Sequence, residues 1–161
     1  MAHGIFRSDN CSYTRDGAKI RTIKTYAQID NGAPIKLGAL VTGANVKYAG
    51  EAEVFSTATA NGAAAADVFV VTTPELDYEK YALGDYTNAN GAIARAVAME
   101  KYDIFSVTSE VLSAIPTSTE TNYIAASDGT WAVSNASTKA FAKYLASDVQ
   151  DGVTFYAFEV L

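Results

Sequence analysis

Short hydrophobic runs separated by turn sequences recur along most of this chain. Residues 51–57 alternate small or apolar with larger or polar side chains, which predicts a strand with one buried face. Residues 67–73 read Asp-Val-Phe-Val-Val-Thr-Thr, a continuous apolar run that predicts a strand buried on both faces. Similar patterns predict further strands over residues 20–30, 34–42, 46–48, 104–108, 123–126, 130–134 and 153–161.

Turns are marked by Asn-Gly and Asp-Gly pairs that begin at Asn31, Asn90, Asp128 and Asp151. Asn and Asp tolerate the positive φ angles that tight hairpin turns require, and Gly adopts them without strain. Short strands at this turn spacing favour an all-β fold, mainly an antiparallel sandwich or barrel with at most one or two short helices.

Three segments keep a helical alternative. Residues 92–99 are rich in alanine, but a strand is favoured because residues 104–108 follow as a hairpin partner would. Residues 139–146 fit an amphipathic helix or a strand equally well, and a short helix is the alternative over residues 76–82.

The pattern predicts an organisation in four segments. Residues 1–19 combine turn chemistry with little apolar periodicity, which indicates an extended N-terminal arm. Residues 20–112 form the main β lobe, and the Ser/Thr-rich segment 113–121 is the predicted linker. Residues 122–161 then form a C-terminal β lobe or continue the same domain. A chain of 161 residues can bury a sufficient core without a disulfide.

Charge is distributed unevenly along the chain. The net charge of −6 argues against nucleic acid as a main partner. Residues 1–50 hold seven Lys/Arg and three acids, a balance of +4 that leaves −10 for the remainder. This asymmetry predicts that a basic arm docks on an acidic partner surface, with a solvated arm as the alternative. No apolar run approaches the roughly 20 residues of a membrane helix, and no secretion signal is evident, so synthesis in the cytoplasm is expected.

The sequence offers little catalytic chemistry. His3 is the only histidine and Cys11 the only cysteine, which leaves no catalytic triad, zinc site or intrachain disulfide to build. We therefore predict no enzyme activity, no cofactor and no metal ion. The alternative is a glycosidase that uses Glu75, Asp77 and Glu79, although acids at this spacing in a polar loop more often form a solvated face.

The ten tyrosines are the remaining feature that needs a role. Tyrosine combines a rigid apolar body with a polar tip and suits protein interfaces or carbohydrate platforms. Tyrosines predicted to lie in loops, together with cations of the N-terminal region, form the predicted partner-binding set. Its members are Arg7, Arg15, Lys19, Arg21, Tyr78, Tyr81 and Tyr86.

The order of segments resembles that of the small head-decoration, or cement, proteins of tailed bacteriophages. The segments that carry the likeness span residues 30–40 (Asp-Asn-Gly-Ala-Pro-Ile-Lys-Leu-Gly-Ala-Leu), 67–75, 90–96, 101–107 and 155–160. The resemblance implies a compact β protein on the capsid exterior of the virion that bridges major capsid protein subunits and stabilises the shell. It also implies neighbouring copies or a homo-oligomer. Neither a membrane nor nucleic acid is expected as a partner, given the absence of a long apolar run and the negative net charge. The long basic N-terminal arm departs from the family pattern.

Two other classes of binding protein remain as alternatives. A different virion subunit, in a tail tube or head fibre, would assemble into rings or tubes without a capsid. A carbohydrate-binding β module would use exposed tyrosines, and its glycan binding would depend on them.

Overall fold

Strands organised in two sheets dominate the computed structural model, which describes residues 2–41, 54–74 and 83–161. The helical elements in these residues are single 3-10 turns of three residues. The all-β prediction is therefore confirmed, and the two sheets form a sandwich-like and barrel-like arrangement.

The first sheet is a closed five-stranded barrel. Its strands are β2 (Ile20–Lys24), β3 (Pro34–Leu40), β4 (Phe55–Thr59), β5 (Val68–Val71) and β6 (Ile93–Ala98). They follow the order β2-β4-β3-β5-β6, and β2 closes the ring by pairing parallel with β4 and antiparallel with β6. Closure satisfies the backbone of these strands without leaving a sheet edge.

The second sheet has six antiparallel strands. These are β1 (Phe6–Asn10), β7 (Ile104–Val107), β8 (Tyr123–Ala126), β9 (Trp131–Ser134), β10 (Ala142–Gln150) and β11 (Val153–Val160). The strand order is β1-β7-β11-β10-β8-β9, with antiparallel pairing throughout. The Asp-Gly turns predicted at Asp128 and Asp151 connect β8 to β9 and β10 to β11, where Gly129 and Gly152 have positive φ angles.

The extended N-terminal arm predicted for residues 1–19 is not confirmed. Part of this segment is β1, which pairs with β7 at the edge of the six-stranded sheet. Ile5, Cys11 and Tyr13 are buried in the core. The sequence does not indicate this packing, because the few apolar residues of the segment lie among polar ones. In addition, the strands that it contacts are far away in sequence.

The hairpin predicted between residues 92–99 and 104–108 is also wrong in its pairing. Both segments are strands, but β6 pairs with β2 and β5, whereas β7 pairs with β1 and β11. The turn between them carries Tyr102 at a positive φ of 73° and passes the chain from the barrel to the other sheet.

The remaining segments can be placed individually. Residues 139–146, for which helix and strand were equally good, contribute the start of β10 at Ala142. The predicted linker 113–121 lies between the 3-10 turn Ser109–Val111 and β8, and the six-stranded sheet takes strands from both sides of it. The predicted strand over 46–48 and the alternative helix over 76–82 lie outside the described residues.

An aromatic cluster forms the centre of the core. The ring centroids of Trp131 and Phe141 are 4.9 Å apart, and Phe105 lies 6.0 to 6.2 Å from Trp131, Phe141 and Phe158. The indole N–H of Trp131 donates a hydrogen bond to the carbonyl of Gly32 at 2.7 Å. This contact joins β9 of the six-stranded sheet to the turn that precedes barrel strand β3.

Gly32 is required at that turn for two reasons. Its φ of +88° lies in the left-handed region, and a Cβ built there would be 2.8 Å from Cγ1 of Val107. Glycine thus allows the barrel turn and β7 to approach each other closely.

Candidate protein-binding surface

The β10–β11 hairpin extends beyond the strands that flank it. β8 pairs with β10 only at Ala142 and Lys143, and β7 pairs with β11 only over residues 156–159. In the outer half of the hairpin, residues 146–150 of β10 pair only with β11 among the described strands, and residues 153–155 of β11 pair only with β10. The hairpin therefore offers a backbone edge to which another strand can be added.

This edge is exposed, and a register irregularity between Tyr144 and Ala146 precedes it. Residues 146–150 of β10 are all exposed, and Val149 retains 65% of its accessible surface. The five residues contain no lysine and no proline, the two residue types that most often block pairing at natural sheet edges. We call residues 146–150 the hairpin edge.

Arg7, on β1, contacts both strands of the β10–β11 hairpin. Its guanidinium carbon lies 4.7 Å from the centroid of the Phe155 ring, a cation–π contact. The same group donates hydrogen bonds to Asp148 at 3.4 Å and Gln150 at 3.2 Å, and its Nε donates to Asp9 at 2.6 Å. The charge of Arg7 is thus engaged within the chain, where it holds the hairpin against the edge of the sheet.

A groove of about 750 Å³ lies beside the β10–β11 hairpin. Its walls come from residues 150–156 of the hairpin, the N-terminal segment, the end of β5 and residues 108–110. The lining mixes apolar side chains such as Ile5 and Phe155 with charged ones such as Glu110 and Asp151. This volume lies within the range of small-molecule sites, and the groove is open enough to receive a side chain of a protein partner.

The N-terminal wall of the groove is held by Asp30. The Asp30 carboxylate accepts hydrogen bonds from Nδ1 of His3 and from the backbone N–H of Gly4, both at 2.9 Å. The backbone N–H of His3 donates to the carbonyl of Gly84 at 2.7 Å. His3, expected in an irregular segment, therefore has a defined structural position.

A buried amide network supports the neighbouring wall. The side chain of Asn31 accepts from the N–H of Thr73 at 3.0 Å and donates to its carbonyl at 2.9 Å. Nδ2 of Asn88 donates to the carbonyl of Ile29 at 3.0 Å and to Oδ1 of Asn31 at 3.3 Å. The sequence marked Asn31 only as a turn residue, because its partners are more than 40 residues away.

The other predicted cations lie near the start of β2. Arg15 is exposed at the end of the 3-10 turn Ser12–Thr14. Lys19 has only 17% of its side chain exposed, and its Nζ is 2.7 Å from the Glu100 carboxylate. Arg21 donates to the carbonyl of Ile20 at 2.9 Å. Two of these three cations are thus engaged locally, and Arg15 is the more accessible charge.

Tyr86 lies in the connection between the 3-10 turn Leu83–Asp85 and β6. It is half-buried, and its hydroxyl donates to Oδ1 of Asn88 at 3.3 Å. Asn88 pairs with Ile29, beyond the carboxyl end of β2, whereas Lys19 precedes the amino end of the same strand. The structure does not bring Tyr86 together with the cations at the start of β2. Tyr78 and Tyr81 lie outside the described residues, and a contact role for the whole set stays a prediction.

Residues 2–41, 54–74 and 83–161 show little further chemistry. They contain no group of three or more His, Cys, Asp or Glu side chains arranged to hold a metal ion. None of their helical elements is long and apolar enough to cross a membrane. Comparisons with protein family models, with characterised proteins and with solved structures found no match.

Cys11 is expected to react slowly in the folded protein. Its Sγ donates to the carbonyl of Ile104 at 3.1 Å, and burial, reinforced by Asp103 and Asp9, raises its pKa from 9.0 to about 12. A rise of this size lowers the thiolate fraction at neutral pH, and the thiolate is the reactive form.

The measurement is the rate of labelling by a thiol reagent in native buffer and in denaturant. Rapid labelling of the native protein would contradict the buried position of Cys11. Because its folded pKa is raised, this thiol also favours the folded state below pH 9, and that contribution is lost as pH rises from 9 towards 12.

Proposed function

We propose that this chain is a structural, non-enzymatic protein of a bacteriophage virion that binds the capsid exterior and bridges major capsid protein subunits. The described residues of the segments that resemble decoration proteins fall in β3, β5, β6, β7 and β11, in the turns that lead into them, or directly after β5 at residues 72–74. They therefore support a shared arrangement of strands. We expect the attachment surface among the exposed parts of that arrangement.

The hairpin edge is the observation that carries the proposal. Strand addition at an exposed edge supplies main-chain hydrogen bonds, and an adjacent groove supplies side-chain specificity. Both features occur together here, since the groove is lined by residues 150–156 of the same hairpin. A strand of five residues buries too little by itself, because a stable interface needs roughly 800 Å² per partner, so the groove must contribute.

Bridging follows from simple energetics. A protein that binds the assembled shell and not the separate subunits stabilises the shell by mass action. Contact with two neighbouring subunits adds avidity, because the second contact forms at a high effective concentration. The acidic remainder of the chain, at −10, keeps the outward surface soluble.

Co-sedimentation with capsids built from the major capsid protein of the same genome tests this function. We expect saturable binding at a fixed number of copies per capsid subunit and a higher melting temperature of the shell. Failure to bind these capsids, or binding only to dissociated subunits, would count against the proposal.

A matched pair of variants tests the hairpin edge. Val149→Lys places a charge on an exposed edge residue and is expected to weaken capsid binding about tenfold or more, because edge lysines oppose strand addition. Ile115→Lys makes the same change at a site that is 53% exposed in the predicted linker, and it should bind as the unaltered protein does. Equal binding by both variants would exclude the hairpin edge as the contact.

The same edge favours a second candidate function, that of a tail-tube or head-fibre subunit. Strand addition between copies would then build a ring or tube from this chain alone. Sedimentation of the purified protein at rising concentration distinguishes the two roles, since only this second one predicts closed assemblies without capsid.

A further inference from the structure

Three turns of the protein share the sequence Asn-Gly-Ala and the same backbone hydrogen bond. They begin at Asn31, Asn61 and Asn90. In each turn the alanine N–H donates to the carbonyl of the residue before the asparagine, at 3.3, 2.9 and 3.1 Å, and the glycine φ is +88°, +70° and +74°. The turns at Asn61 and Asn90 even share the tetrapeptide Ala-Asn-Gly-Ala.

Asn-Gly sequences can react with themselves. The glycine backbone nitrogen attacks Cγ of the asparagine side chain, a new C–N bond closes a succinimide ring, and the nitrogen loses its proton. The bond from Cγ to the amide nitrogen breaks, and ammonia leaves. Water then opens the ring at either carbonyl, giving aspartate or isoaspartate. Glycine favours this attack because no Cβ hinders it.

Two of the three turns hold the attacking nitrogen in a hydrogen bond. The N–H of Gly32 donates to the carbonyl of Val71 at 2.7 Å, and Asn31 itself is only 4% exposed with its amide bonded to Thr73. The N–H of Gly91 donates to the carbonyl of Thr25 at 3.0 Å. In both turns the reaction requires the backbone to open first.

The turn at Asn61 lacks this protection. Asn61 and Gly62 are exposed, and the Gly62 N–H donates to no acceptor in the part of the chain that the structure describes. A Cβ built on Gly62 would meet no atom within 4 Å, so the loop has open space around the reacting groups. We propose that Asn61 is a site of spontaneous succinimide formation and deamidation, whereas Asn31 and Asn90 are protected by their folded surroundings.

The product differs from the original chain in charge and backbone. Deamidation adds one carboxylate to a protein of net charge −6, in the loop between β4 and β5. The isoaspartate product also adds a methylene to the main chain at the turn. An aged sample is therefore expected to contain a more acidic form that separates on ion exchange.

Peptide mapping by mass spectrometry tests the proposal. The folded protein is incubated in mildly alkaline buffer at physiological temperature, and aspartate and isoaspartate are counted at each Asn-Gly pair over time. We expect conversion at Asn61 to be at least about tenfold faster than at Asn90, with Asn31 the slowest, because local opening limits the last two. Asn61→Gln should remove the early acidic form.

A parallel incubation in denaturant provides the matched control. Unfolding removes the hydrogen bonds of Gly32 and Gly91, so the three pairs should then convert at similar rates. Equal rates at Asn61 and Asn90 in the folded protein would overturn the proposal. So would a folded protein that keeps Asn61 intact while the denatured chain converts it.

Discussion

Trp131→Ala is expected to destabilise the protein by about 4 kcal/mol, the usual cost of removing a large aromatic side chain from a core. Trp131 is fully buried, and it contacts the rings of Phe105 and Phe141. The substitution leaves a cavity at the centre of the aromatic cluster and removes the hydrogen bond to the carbonyl of Gly32. Unfolding in urea, followed by far-UV circular dichroism, measures the loss.

A second variant separates the loss of ring volume from the loss of the hydrogen bond, and a third variant serves as the control. Trp131→Phe keeps most of the aromatic volume but leaves the buried carbonyl of Gly32 without its donor, at a cost of about 1–3 kcal/mol. Ile115→Ala truncates a side chain that is 53% exposed and should change stability by less than about 0.5 kcal/mol. A Trp131→Ala protein as stable as Ile115→Ala would show that the aromatic cluster does not organise the core.

Asp103→Ala is expected to cost about 3 kcal/mol and to loosen the N-terminal segment. The buried Asp103 carboxylate accepts from the backbone N–H of Ser12 at 2.8 Å, from the Ser12 hydroxyl at 2.9 Å and from the N–H of Glu100 at 2.8 Å. Hydrogen bonds to a charged group are worth more than neutral ones, and truncation removes three of them from partly buried donors at once. Urea unfolding gives the free energy.

Hydrogen exchange locates the effect of this variant. Asp103→Ala should accelerate the exchange of the amides of β1 and of the turn Ser12–Thr14 more than that of the barrel strands. The reason is that Ser12 loses its hydrogen bonds to Asp103. Asp128→Ala, which removes an exposed carboxylate from the β8–β9 turn, serves as the control and should leave exchange unchanged. A uniform increase in the amide exchange rate over the whole chain would contradict this, because it would mean that the N-terminal segment opens only together with the rest of the protein.

The ion pairs of the N-terminal cations alter the mode of attachment that the charge distribution predicts. A basic N-terminal arm was expected to dock on an acidic partner, yet Arg7 and Lys19 are bound to carboxylates of the chain itself. The proposed contact moves to the hairpin edge and its groove, which Arg7 helps to position through Phe155 and Asp148. On this proposal Arg7 of the basic N-terminal region positions the candidate binding surface and does not itself dock on the partner.

Local pattern was enough to identify most of the strands. The apolar run at residues 67–73 became β5, and the terminal segment became β11, because such runs need burial on a sheet whatever their partners are. Asn31, Asp128 and Asp151 were found as turns because their chemistry acts within four residues. The pairing of β6 and β7 could not be inferred in this way, since adjacent strands fit a hairpin pattern equally well when each belongs to a different sheet.

An all-β protein with turns at Asn-Gly and Asp-Gly pairs can be predicted from the chain alone, because backbone propensity and hydrophobic period are local properties. Long-range packing, by contrast, makes the N-terminal segment edge strand β1, anchors it through Asp103 and Asp30, and leaves the hairpin edge open. Those outcomes depend on contacts between residues about 26 to 140 positions apart. Such contacts leave no periodic signal in the chain, because hydrophobic period reports only on the neighbours of a residue within its own element.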